Sequence, residues 1–153
     1  MHLIALWNRL APRPGGRWLF SRLVCLKAPY FATIAPRVVR LEPGFGVATM
    51  RHRRRLGNHI GTVHAIALCN LAELIGGLVC EVSTPATMRW IPRDMQVRYL
   101  KKAVGTMTAS ARPAQPIVAS TEAAEVPVDV EIRDAADELV FTARIGMWIS
   151  PRR

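Results

Sequence analysis

Acidic side chains are scarce in this chain: Asp and Glu number 11 against 21 Lys and Arg, a formal charge of +10 over 153 residues. That balance calls for a polyanionic partner, an anionic surface or simply a basic soluble exterior. Zinc-finger spacing, an RNA-recognition signature and a basic helix with heptads are all missing. The basic residues are dispersed apart from Arg51 to Arg55, so nucleic acid ranks last as a partner. Cysteine is sparse too. Cys25, Cys69 and Cys80 are odd in number, far apart and set among apolar residues, which reads as reduced buried thiols in a cytoplasmic protein. The absence of CxxC and of any Cys/His cluster argues against structural zinc, and no metal or redox cofactor is expected. The apolar stretch Leu3 to Trp7 is too short for a signal-peptide core. The longest apolar run contains Asn70 and Glu73, which argues against a membrane span.

What is present in quantity is apolar surface: half of the residues are hydrophobic, enough for a sizeable core in one domain over 1–153. The richest stretch, Asn58 to Cys80, reads NHIGTVHAIALCNLAELIGGLVC. Its length, its Ala and Leu content and its lack of proline predict a helix over 64–81. The run is apolar on every side, so the helix is expected to be buried all round, with Thr62 as its N-cap. Glu73 then needs partners or water. Gly76 and Gly77 weaken a helix, so they suggest close packing against another backbone. Unpaired N–H groups at the helix start, where Gly61 and Ala65 leave room, attract a negative oxygen.

Residues 3–10 and 17–28 read as short helices divided by Pro12, Pro14, Gly15 and Gly16, within an N-terminal extension, 1–36, that packs as a flap over the sheet. Tyr30 and Phe31 follow as pocket or core residues. Strands are expected at 37–42 and 47–55, around a Pro43–Gly44 turn, with Arg51, Arg53 and Arg55 on one side of the second. A loop at 83–87 precedes a strand at 90–100, in which Pro92 marks an edge, a bulge or a late start. A strand over 103–112 and a final hairpin follow: Val126, Val128, Val130 and Ile132 alternate with polar residues, Asp134 to Glu138 turns, and Leu139 to Met147 alternates back. The fold class is α+β, an antiparallel sheet with one long helix inserted after its first hairpin.

That order resembles the hotdog fold, in which an antiparallel β-sheet wraps around one long central helix, and the motif is similar to that of its phenylacetyl-CoA-type thioesterase branch. There an Asn stands six residues before a His, small residues follow the His, and an Asp or Glu stands nine residues after it; Asn58, His64, Ala65 and Glu73 occupy those positions. Leu71, Ala72 and Glu73 match the Leu-Ala-Asp/Glu step. This chain departs by having Ala65 and Ile66 where relatives carry Gly-Gly. The resemblance implies a homodimeric acyl-CoA thioesterase that releases a carboxylic acid and a free thiol from coenzyme A or acyl carrier protein. The alternative is a non-catalytic acyl-CoA or lipid-binding protein.

Under that resemblance Glu73 is the general base or the nucleophile. The Ala65 N–H, with that of Ile66, supplies the oxyanion donor. Asn58 holds the attacking water or the helix-start loop, and His64 orients that loop or binds substrate. It lies half a turn from Glu73 and cannot be its partner within one chain. Asn70, at i−3, is a hydrogen-bond partner for Glu73, and Ser83 or Thr84 assists. Arg89, Arg93 and Arg98 are candidates for the coenzyme A phosphates. Ala65 and Glu73, eight residues apart, are separated by roughly 12 Å of helix rise. If both act on one reacting atom, they come from different subunits, and a dimer, open to further pairing into a tetramer, follows.

Overall fold

The computed structural model describes residues 3–152; the ends of the expected domain, at 1, 2 and 153, lie outside them. Two helices open the chain, α1 over Leu3–Leu10 and α2 over Gly16–Lys27, and a 3-10 turn follows at Pro29–Ile34. Gly16 makes the tight join. A Cβ there would sit 1.7 Å from the Leu10 carbonyl oxygen, so no side chain fits between the helices. Trp7 and Phe20 lock the pair edge to face, with ring centroids 5.0 Å apart.

Six strands then form one antiparallel sheet: β1 (Arg37–Glu42), β2 (Phe45–Met50), β3 (Met88–Tyr99), β4 (Met107–Pro113), β5 (Ala124–Arg133) and β6 (Leu139–Pro151), in the spatial order β1-β2-β4-β5-β6-β3. The third helix, α3 over Ala65–Ser83, lies in the curl of this sheet. The architecture is the hotdog arrangement that the element order implied. The period-two alternation of the last hairpin is realised directly: Val126, Val128, Val130 and Ile132 are buried on the helix side, with Val128 opposite Ile145 and Val130 opposite Ala143. Pro92 marks both an edge and a bulge, since among the described residues β3 has β6 as its one neighbour and the register shifts between Pro92 and Asp94.

Several expectations need correcting. The strand expected over 103–112 begins only at Met107. The second strand stops at Met50, where its partner β4 begins at Met107; Arg51 and Arg53 lie exposed in the segment that follows, and Arg54 and Arg55 lie exposed on the short 3-10 turn Arg54–Leu56. A strand continued to Arg55 would turn alternate members of this basic run toward the core, where a charge has no partner. The helix cap is His64 rather than Thr62: its Nδ1 accepts from the Ile66 N–H at 3.1 Å, while Thr62 is drawn into the preceding loop. And α3 is not buried all round. Ile66, Glu73 and Glu81 are exposed, and Cys69 and Gly77 are half-buried between them. These positions recur every three or four residues, so they form one open stripe along a helix whose other sides are packed.

That packing explains the two glycines, although side chains press on them rather than a second backbone. A Cβ at Gly76 would lie 2.9 Å from Ile145 Cδ1, and one at Gly77 would lie 3.2 Å from the Trp90 ring. Among the described residues α3 is the one helix long and apolar enough to cross a membrane, and most of it is enclosed by the sheet.

Candidate active site on the open stripe of the central helix

Glu73 projects from the open stripe into a cavity of about 600 Å³. The walls are mainly apolar and come from distant parts of the chain: Leu3 and Leu6 of α1, Leu23 and Val24 of α2, Phe31, Leu74 and Leu78 of α3, Trp90 and Pro92 of β3, and Met147 of β6. The carboxylates of Glu73 and Glu81 and the Lys27 ammonium are its charged groups. Glu81 is already engaged, accepting from Trp90 Nε1 at 2.7 Å. Glu73 has no hydrogen-bond or ion-pair partner among the described residues. A carboxylate facing an apolar hollow with its oxygens uncommitted is available to a ligand or to water.

Glu81, Lys27 and Trp90 were not singled out from the sequence. The spacing of Glu73, Gly77 and Glu81, at i, i+4 and i+8, was the signal for the first of them. Lys27 is brought in only by the folding of α2 against the rest.

At the start of α3 the polar groups are more heavily used. The Asn58 Oδ1 accepts from the Ile60 and Thr62 N–H groups at 3.1 and 3.0 Å, and its Nδ2 donates to Thr62 Oγ1 at 2.8 Å. The side chain therefore ties the 58–62 loop, in which Gly61 takes φ 77°. His64 is exposed; its backbone N–H donates to the Leu56 carbonyl at 2.7 Å, and its Nδ1 holds the Ile66 N–H. Of the two donors expected for an oxyanion, the Ile66 N–H is thus occupied, and the Ala65 N–H has no partner among the described residues. Ala65 and Glu73 lie on the same straight helix, eight residues apart, and do not meet within one chain.

Asn70 is turned away from Glu73. It is buried, donates through Nδ2 to Thr33 Oγ1 at 3.1 Å, and leaves Oδ1 without a partner. Arg89 and Arg93 lie on the sheet face opposite the cavity: Arg89 Nε donates to Ser150 Oγ at 3.3 Å, and the Arg93 guanidinium stacks 4.2 Å from the Trp148 ring. Ser83 donates to the Val79 carbonyl and receives the Gly44 N–H, and Thr84 donates to the Cys80 carbonyl.

The thiols do not supply a nucleophile to the cavity. Burial pushes the Cys80 thiol up to about 11, despite its contact with Thr84, and raises Cys25 as well. Cys69 Sγ lies 3.1 Å from the Tyr99 hydroxyl. Partial burial, with that contact second, pushes the Tyr99 phenol up to about 12.

A family model described as a domain of unknown function (DUF4442) matches residues 16–149. The chain belongs to this DUF4442 family. Among solved structures, a genomics crystal structure is 40% identical, with a TM-score of 0.86 over 99% of this chain and 100% of that one. A Pseudomonas aeruginosa protein of unknown function, described as a probable thioesterase, is 26% identical, with a TM-score of 0.77 over 86% of this chain and 93% of that one. A Haemophilus influenzae thioesterase is 19% identical, with a TM-score of 0.69 over 80% of this chain and 82% of that one, a likeness of fold. No curated protein matches the chain. The DUF4442 match begins at the first residue of α2, so it includes the α2 part of the cavity wall and leaves out α1.

Proposed function

We propose that this protein is an acyl-CoA thioesterase that works as a homodimer, with Glu73 as its reactive carboxylate. The observation that carries the reading is the uncommitted Glu73 carboxylate at an apolar cavity of about 600 Å³, a volume suited to an acyl or aryl-acyl group. The description of the Pseudomonas aeruginosa relative as a probable thioesterase supports it, as does the Asn58, His64, Glu73 spacing shared with the phenylacetyl-CoA-type branch.

Two features of the geometry support the dimer. β3 presents a twelve-residue edge with no neighbour beyond it among the described residues, and the Ala65 N–H of one chain cannot reach the Glu73 of the same chain. Pairing β3 with its copy extends the sheet and sets two α3 helices side by side. Glu73 as general base takes a proton from water as the water oxygen attacks the thioester carbonyl. The carbonyl oxygen gains the charge and receives the Ala65 N–H of the other subunit. Collapse breaks the C–S bond, and the proton held by Glu73 passes to the departing thiolate. Glu73 as nucleophile instead forms an acyl anhydride and expels the thiolate; water then cleaves the anhydride to the carboxylic acid and the Glu73 carboxylate, and the proton freed from that water converts the thiolate to the thiol.

The decisive experiment is free-thiol release from short, long and aromatic acyl-CoAs by wild type beside Glu73→Ala. Turnover by wild type that falls at least about a hundredfold in the variant is the expected result. Turnover retained by Glu73→Ala overturns the assignment. The commitment of Asn58 to its loop and of the Ile66 N–H to His64 favours a second reading, a binding protein for acyl-CoA or lipid. Its signature is saturable acyl-CoA binding with no thiol released from any member of the panel.

A further inference from the structure

We infer that the outer face of α2 is a docking surface for an anionic lipid bilayer. In an ordinary surface helix the side away from the core is polar. Here it is not: Trp18 is 60% exposed, Leu19 42%, Leu23 36% and Leu26 74%, and Tyr30, just past the helix, is 66% exposed. At 100° per residue, positions 18, 19, 22, 23 and 26 fill a continuous arc of about 140°. The buried positions are Gly16, Phe20, Ser21 and Cys25. Four large apolar residues with Arg22 among them make a face too apolar for water alone, and a Trp and a Tyr at its two ends suit the boundary between acyl chains and headgroups.

Charge selects the partner. The first acidic residue of the chain is Glu42; before it stand Arg9, Arg13, Arg17, Arg22, Lys27, Arg37 and Arg40, seven basic residues and no acid. Arg9, Arg13, Arg17, Arg22 and Lys27 are all exposed, and none forms an ion pair among the described residues. A second copy seated on this face would bring the same cations against each other, because an isologous contact pairs a patch with itself. An anionic bilayer supplies both an apolar interior for Trp18 and Leu26 and phosphates for the arginines.

Leu23 belongs both to the exposed face and to the cavity wall. Docking therefore sets the cavity beside the membrane, where acyl chains concentrate.

The test is co-sedimentation of the full chain with vesicles of phosphatidylcholine alone and of phosphatidylcholine mixed with phosphatidylglycerol. Wild type is expected to sediment with the mixed vesicles, to stay in solution with the neutral ones, and to be released by salt. Trp18→Ser with Leu26→Ser should reduce binding to background, and Arg13→Gln and Arg22→Gln should each weaken it about fivefold. Thermal melting checks that the variants fold. Should the apolar pair fail to fold, the two arginine variants carry the test alone. Wild type that ignores mixed vesicles overturns the inference, as does binding that none of these substitutions weakens. A change of oligomeric mass in the apolar variant, without vesicle binding by wild type, would reassign the face to contact between copies. None of these readouts depends on turnover.

Discussion

The two edges of the sheet are treated in opposite ways. β1, six residues long, is covered: α2 packs along it, and the Val38 N–H donates to the Ser21 Oγ at 2.9 Å, so a helix side chain stands where another strand would. β3, twice that length, is bare, with Ile91 60% and Tyr99 49% exposed. A long uncovered edge with apolar side chains invites pairing, and proteins that must stay monomeric blunt such edges. The N-terminal extension closes one edge and leaves free the other, which is the edge the proposed dimer uses.

The largest expected effect comes from attacking the bare edge. Ile91→Lys combined with Tyr99→Lys puts like charges where two β3 strands would meet; sedimentation velocity should show a monomer, and thioesterase turnover should disappear with the dimer. A dimer that survives this change would move the interface elsewhere. Next is a pH effect on α3, which lies between the edges. The Cys80 thiol, raised from an ordinary 9.0 to about 11 by burial, favours the fold while it stays neutral. That contribution is complete below pH 9 and is lost as pH rises through about 11, on the order of 2 kcal/mol. Chemical denaturation between pH 8 and 11 should show the loss, and Cys80→Ala should reduce it.

On the covered edge, Ser21→Ala strands the Val38 N–H, at a cost of about 1–3 kcal/mol. The melting temperature should fall by several degrees while the oligomeric mass stays unchanged, because this edge is closed by its own chain. The smallest change is at Asn70. Its Oδ1 is buried without a partner among the described residues, whereas the Thr33 hydroxyl to which its Nδ2 donates is exposed. Asn70→Leu should leave the melting temperature unchanged or raise it slightly. A drop of more than about 2 kcal/mol would show that the carboxamide oxygen is satisfied in the assembled protein.

Legibility followed the range of the interactions. The last hairpin was readable because alternation and a turn lie within about 25 consecutive residues and each strand finds its partner next in sequence. The irregularity at Pro92 was readable as an edge, a bulge or a late start because proline cannot donate to a ladder, and the register decided for edge and bulge. The strand drawn through Arg51 to Arg55 failed because its end depends on where β4 begins, more than 50 residues later. Thr62 lost the cap to His64 because Asn58 claims both its N–H and its hydroxyl, a competition within the loop that residue type does not reveal. Glu73 was recognised as the residue to explain, but as a carboxylate in a buried helix rather than one on an open stripe.

The amino-acid sequence by itself determined the elements and their order, the single long apolar helix, the place of a carboxylate within it and the basic balance of the chain. Those properties reside in neighbouring residues, through backbone preference, hydrophobic period and charge. Tertiary structure alone decided which side of α3 stays open, that α1 and α2 wall the Glu73 cavity, that Asn70 turns to Thr33, and that β1 is capped while β3 is not. Each of these depends on surfaces brought together from segments tens of residues apart, and burial belongs to the pair of surfaces rather than to either stretch of chain.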